Sequence, residues 1–337
     1  MFEGKFVGFF TNPPFWAGPM PNLTKELSEN EFQGKMTQWK AKYGDKNYKI
    51  LIMRDGMIYL RHELIEKLYE EHINKEISFF EKLDTRTQLN LLYFDFINCV
   101  KVLIDSAVVK KRKFDYFKPR PTAQRELLRS TIYQGLPYDE TGLDGESGKY
   151  YYGRILQLYS KPLIDDRRIY SRQEIRLEYL YQAFKDIALI ADSLPKIRVL
   201  SLYSSSLYHY LSLDFPSSII LGWFIIEYFI NSIYNAKIKE KNSDRNPIAK
   251  KIESIRKTNL IDIDILDNID HLRLLRNDLI HWSEKKVSKD NNLLLNPYTP
   301  PISLDDCELM FKTIAFLILR EFKIELGLRF GFAYSLI

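Results

Sequence analysis

The sequence predicts a mainly α fold, with a helical C-terminal bundle over 196–337 and a mixed α+β or α-rich region over 1–195. Three observations carry this expectation. From residue 196 onward, apolar residues recur at helical spacing almost without interruption. In the first part, "NYKILIMRDGMIYL" (47–60) has two apolar runs around Asp55-Gly56, a hairpin signal. The composition, 45% hydrophobic and 14% aromatic over 337 residues, is that of a globular chain with room for two domains.

Taken in order, the N-terminal "MFEGKFVGFFTNPPFW" is aromatic but is broken by Glu3 and Lys5, and it lacks the basic start and apolar run of a signal peptide. Helical patterns follow the hairpin at about 61–82 and 87–110. The run "KKRKFDYFKPRP" (110–121) is basic, aromatic and closed by prolines, and 135–153 reads as a loop. "SRQE" (171–174) is a capping-box pattern, so a helix is expected from Ser171 to about Ser193, stopped by Leu194-Pro195. Helices are then expected near 197–212, 217–240, 246–257, 262–285 and 303–325, with Pro216 in a first turn.

Some function classes are excluded early. The net charge of +5 permits an acidic partner such as RNA without demanding one. The two cysteines, Cys99 and Cys307, lie far apart and outside any motif, which argues against a disulfide scaffold or a cysteine zinc site and fits a reducing cytoplasm. The most apolar segment, 217–234, contains Glu227 and Asn231; a charge in mid-span is costly, so a core helix is expected and no membrane. "GLDGESGKYYYG" fails the phosphate-loop pattern, because five residues separate Gly142 from Gly148 and Tyr150 follows Lys149. His62, His72, His209 and His271 have no metal-ligand spacing and are expected at the surface or in packing. No metal and no cofactor are expected.

The 262–285 helix holds the densest chemistry. "HLRLLRNDLIHWSEKK" places Arg276, Asn277, Asp278 and His281 within six positions. At about 100° per residue, Ile265, Leu272, Leu275 and Leu279 form a core stripe. Asn277 and His281 stack on one face roughly opposite, shared with Asp270 and Leu274, and the long Arg276 side chain sits at its edge. A solvated face explains most such charge runs. An apolar Leu274 inside the polar face points instead to a face that meets a partner.

"RNDLIH" resembles the R-x4-H signature of the HEPN (higher eukaryotes and prokaryotes nucleotide-binding) superfamily. The long apolar "SSIILGWFIIEYFINSIYNAKI", the polar turn after it and "NIDHLRLLRNDLIHWSE" follow that family's order of helices, a likeness that covers about 196–330. The resemblance implies an all-α bundle, a homodimer formed through the 262–285 helix and, in many members, metal-independent RNA cleavage at a composite site. Arg276 would then hold the scissile phosphate, His281 would be the general acid and base, and Asn277 would position them. Glu227 and Asp278 would support the site. The residue types suit the reaction. Histidine titrates near neutral pH and can move the 2′-OH proton, and a guanidinium can offset charge on the phosphorane. One toxin–antitoxin branch of the family has a tyrosine two residues after the motif histidine; here that position is Ser283, which puts a tyrosine-modifying partner in doubt.

Glu227 admits two readings: a contact that orients Arg276 or His281, or a structural role, as an ion pair with another base or exposed at a helix edge. Lys110, Lys111, Arg112 and Lys113, interleaved with Phe114, Tyr116 and Phe117, form a candidate RNA-binding run; a solvated helix end is the plainer account. Two functions follow. One is a dimeric endoribonuclease in antiviral defence or toxicity, its N-terminal region answering to a regulatory protein or nucleic-acid trigger. The other is a non-catalytic dimerisation or nucleotide- and RNA-binding module of a larger complex. A weaker third reading makes the whole chain a sensor.

Overall fold

The fold is taken from a computed structural model, which describes residues 3–22, 28–73, 78–111, 120–122, 127–134, 136–141, 172–238, 246–286 and 302–328. Arg112, Lys113, Ser171 and the 142–150 segment of the rejected phosphate loop lie outside them. The chain divides into two compact units, Met1–Ser201 and Leu202–Ile337. Helix-rich and mixed describes the whole.

The first unit is built on a curled antiparallel sheet of order β3-β4-β5-β1-β6-β7. Its strands are β1 (Gly4–Phe9), β3 (Trp39–Gly44), β4 (Tyr48–Met53), β5 (Ile58–His62), β6 (Leu128–Tyr133) and β7 (Leu136–Thr141). The aromatic N-terminus is therefore the central strand: Val7 pairs with Leu60 on one side and Arg129 on the other. Burial on both faces explains why β4 reads "YKILIM" without clean alternation. One face carries Tyr48, Ile50, Leu60 and His62 beneath α3 (Phe79–Lys111), whose Phe96 meets Tyr48 at 6.3 Å and His62 at 5.0 Å. The other gathers Phe6, Leu51, Met53, Tyr59, Leu128 and Ile132. The Asp55-Gly56 hairpin is present as expected. Gly56 has φ +82°, and a Cβ there would lie 2.1 Å from the Phe15 carbonyl oxygen, so only glycine fits the turn.

Three expectations fail in this unit. The 135–153 loop is in part strand β7, paired with β6 through Tyr133 and Leu136. The capping box does not start a helix. Gln173–Ile175 is a strand, β8, in parallel pairing with β2 (Phe15–Ala17), and the Glu174 carboxylate accepts the Met20 N–H at 2.8 Å. A local cap signal is overridden by a pairing partner about 160 residues upstream. Among the remaining helices of the unit, α1 is Glu29–Met36, α2 Glu63–Ile73 and α4 Leu177–Ala188. Leu194-Pro195 does not stop a helix but opens α5 (Leu194–Leu211), where proline is tolerated in the first turn.

His62 gives this unit a pH dependence. The ring is buried, its Nε2 donates to the Ala191 carbonyl at 2.7 Å, and the buried Nδ1 meets no partner. Burial pushes its pKa below the ordinary value, outweighing the Ala191 bond and the nearby carboxylates. The unfolded chain therefore takes up the proton more readily. The resulting stability is complete above the ordinary histidine value of about 6.5 and is lost as pH falls below it. The melting temperature is expected to drop between pH 7.5 and 5. In His62→Gln, which keeps a donor for Ala191, that part of the slope should disappear; an unchanged slope would exclude His62 as its source.

The second unit is helical: part of α5, then α6 (Phe215–Lys237), α7 (Ile248–Lys257), α8 (Ile263–Lys286) and α9 (Leu304–Phe322). Asp214 caps α6 by accepting the Ser217 N–H, with Pro216 in its first turn. Ser303 and Asp306 form a reciprocal capping box on α9. Of the described helices, α6 alone is long and apolar enough to cross a bilayer; it packs against α7, α8 and α9. Gly222 makes this possible, because a Cβ there would lie 2.0 Å from Met310 Sδ on α9. Gly222→Val overpacks that contact and should destabilise the second unit by about 2 kcal/mol. Denaturant titration checks this; an unchanged midpoint would mean that Met310 moves aside freely.

Candidate functional site

Helix α8 starts with Asp264 in its first turn, favourable beside the helix N-terminus. Leu266, Ile269 and Leu272 are its buried residues, while Ile265, Leu275 and Leu279 are half-buried. The expected stripe is thus rotated: Leu272 is in the core, but Leu266 and Ile269 are the deeper anchors. The cause is α7. Its Arg256 bonds Asp267 at 2.6 Å and Asp270 at 3.3 Å, and Arg273 adds a bond to Asp270 at 3.0 Å. This network draws the N-terminal half of the polar face against α7. Asp270, expected to share an outward face with Asn277 and His281, is occupied there.

The C-terminal half is different. Leu274 is 53% and Ile280 46% exposed, and Asp278 and His281 are exposed with them. Arg276 and Asn277 are half-buried, and Nη1 of Arg276 donates to Oδ1 of Asn277 at 3.1 Å. The arginine is thus steered by the polar residue that follows it. Arg276, Asn277, Asp278 and His281 stand together within about two turns, bordered by two apolar side chains open to solvent.

Glu227 is elsewhere in its bonding. Its Oε2 accepts the indole N–H of Trp223, one turn earlier on α6, at 3.0 Å, and the side chain is only half-buried. Among the described residues it meets neither Arg276 nor His281 and pairs with no base. The contact with Arg276 or His281 and the ion pair with another base are both corrected: a tryptophan four residues away satisfies the carboxylate, which lies partly exposed at the helix edge.

His271, expected only as a surface or packing residue, ties α8 to α9 through its Nε2, 2.8 Å from Asp306 Oδ1. Burial opposes ionisation of Asp306, but bonds from His271 and Ser303 outweigh it and hold the carboxyl below its usual range. The sequence signal was the α9 capping box, whose acid has a second oxygen to offer. His209 similarly pairs with Asp214 at 2.8 Å. Among the described residues, no group of three or more His, Cys, Asp or Glu side chains could hold a metal. Lys110 and Lys111 end α3 in the first unit, half-buried and exposed respectively.

Chemically, residues 276–281 of one copy present one imidazole, one guanidinium, one carboxamide and one carboxylate, those of His281, Arg276, Asn277 and Asp278. That set can bind a phosphodiester and move one proton. Strand cleavage through a 2′-OH needs a base and an acid, hence two imidazoles or one imidazole and a further group. No family model matches the chain, and neither curated proteins nor solved structures show a significant match to it.

Proposed function

We propose that the second unit is a HEPN-like bundle and that the protein is a metal-independent endoribonuclease acting as a homodimer through α8. The observation that supports this reading is the outward C-terminal half of α8, where His281, Asn277 and Arg276 sit between exposed Leu274 and Ile280. An exposed apolar pair beside polar groups suits a surface that meets another surface. A second copy across a two-fold axis supplies the second imidazole. One His281 takes the 2′-OH proton as the 2′-oxygen attacks phosphorus. The P–O5′ bond breaks, and the other His281 protonates the departing 5′-oxygen. Arg276 offsets the phosphorane charge, and Asn277 holds the guanidinium. The products are a 2′,3′-cyclic phosphate and a 5′-OH.

A role in antiviral defence or as a growth-arresting toxin follows from the same resemblance, with the first unit answering to a trigger. Incubating the protein with tRNA or total RNA in EDTA and mapping the ends of the products tests the activity. Cyclic phosphate ends are expected; 3′-hydroxyl ends, or cleavage that EDTA stops, would rule out this chemistry.

A second reading draws on Glu227. Its carboxylate is engaged by Trp223 on its own helix and not by Arg276 or His281, which suits a non-catalytic dimerisation or RNA-binding module. In that case changes on α8 would weaken association and leave no cleavage to lose.

A further inference from the structure

The β3–β4 hairpin is strongly basic. Residues 39–54 contain Lys40, Lys42, Lys46, Lys49 and Arg54 against a single acid, Asp45. That acid is engaged by its own turn, accepting the Asn47 N–H at 2.7 Å and the Tyr48 N–H at 3.3 Å. Lys49 is engaged by Glu63 at 3.4 Å. Among the described residues, Lys40 and Arg54 pair with no carboxylate. The adjacent Asp55 does not help, since it is fully buried and its Oδ1 accepts the Met57 N–H inside the turn.

Arg54 is held, and the ladder places Lys40 two residues from its cross-strand neighbour Gln38. Trp39 pairs with Met53 and Ala41 with Ile52, so Lys40 is the extra residue of a β-bulge. Bulges re-aim side chains and are enriched beside functional sites. Across the ladder, the Arg54 N–H donates to the Gln38 carbonyl at 2.9 Å, and its Nη2 donates to Gln38 Oε1 at 2.6 Å. The Nε of Arg54 is buried and meets no acceptor. Burial, and then the charge of Arg54, push the Lys40 ammonium below its ordinary pKa, and burial does the same to Arg54. Two like charges brought near each other and stripped of part of their water carry a cost that an oxyanion between them removes.

The surroundings select the anion. Trp39 is half-buried, with its indole edge-on to Tyr59 at 5.6 Å and the Lys42 ammonium 5.8 Å from its ring centre. Cations spaced along a strand next to an aromatic face are the arrangement that tracks a phosphate backbone and stacks an unpaired base.

We propose that Lys40 and Arg54, aimed together by the β3 bulge and by Gln38, form a subsite for a backbone phosphate of a single-stranded nucleic acid, with Trp39 as the neighbouring base platform. The subsite lies in the first unit and stands independently of the α8 chemistry.

The test uses the full chain and a fluorescein-labelled, fully 2′-O-methylated RNA strand, followed by anisotropy across a salt series. Methylation removes the nucleophile, so the result does not depend on whether α8 cleaves RNA. Lys40→Ala with Arg54→Ala should weaken binding about tenfold or more and flatten the log–log salt slope by about one. Lys40→Met should leave the melting temperature unchanged or raise it, because a like-charge contact is relieved. Unchanged affinity and slope in the double variant would overturn the proposal, as would a lower melting temperature of Lys40→Met with binding intact. Binding of inorganic phosphate, read as a melting-temperature rise lost in the double variant but with no strand binding, would overturn it in favour of a small-anion site.

Discussion

Replacing His281 with alanine is expected to lower RNA cleavage by about 10²–10⁴-fold, the range for removal of a positioned acid or base. Arg276→Ala should cost about 10²–10³-fold, as for a lost donor to developing charge. The two routes differ in a measurable way. His281→Ala removes proton transfer and should flatten the pH profile, whereas Arg276→Ala should keep its shape and lose rate throughout. Neither change should unfold the protein. His281 is exposed, and surface substitutions usually stay within about 0.5 kcal/mol. Arg276 is half-buried and bonds its neighbour Asn277, so Arg276→Lys is a useful companion: charge is kept but the fork that holds phosphate is not. Full cleavage by both alanine variants would remove the site from α8.

The second large effect concerns Leu274 and Ile280. Both are about half exposed, on the half of α8 that α7 leaves uncovered. Glutamate at both positions adds four carboxylates around a two-fold axis and takes away the apolar contact. Self-association is expected to weaken at least about 100-fold, equivalent to roughly 2.7 kcal/mol. Within one chain the same changes lie at the surface, so the melting temperature of the monomer should hardly move. Sedimentation across a concentration series reads the association, and cleavage should fall in parallel. Loss of cleavage without loss of association would instead mean that these side chains touch RNA.

The parts of the fold that were legible in the sequence are those set by local patterning. Asp55-Gly56 between apolar runs gave a hairpin because the turn demands a positive φ at Gly56. The C-terminal helices followed from periodicity and from the first-turn proline Pro216, whose effect acts within one turn. Long-range pairings were not legible. Nothing near "SRQE" announces that Gln173–Ile175 will pair with Phe15–Ala17 and divert Glu174 to Met20. The β6–β7 hairpin was hidden because the buried position between Leu128 and Ile132 is a serine, Ser130, and Tyr133 and Leu136 are exposed at the turn, so apolar residues do not alternate.

The candidate site divides the same way. The spacing of Arg276, Asn277 and His281 is local, so their shared place on one helix could be read directly. The rotation of the core stripe could not, since it depends on how other helices pack against α8. Glu227 misled because an acid in an apolar helix calls for a partner, and an indole four residues away is as adequate as a distant base. Lys40 and Arg54 are 14 positions apart, and the β3–β4 pairing, with its bulge at Lys40, brings them near each other.

The pairing of two α8 helices is the claim on which cleavage rests, and the separation of the two copies of residue 281 tests it most directly. Cys99 and Cys307 are both buried, so a nitroxide introduced on His281→Cys labels that position selectively. Pulsed electron resonance on the assembled protein should return a single short, narrow distance, compatible with both positions flanking one phosphodiester. A monomer at all concentrations, or a dimer whose labels are too far apart to share a phosphate, would contradict it.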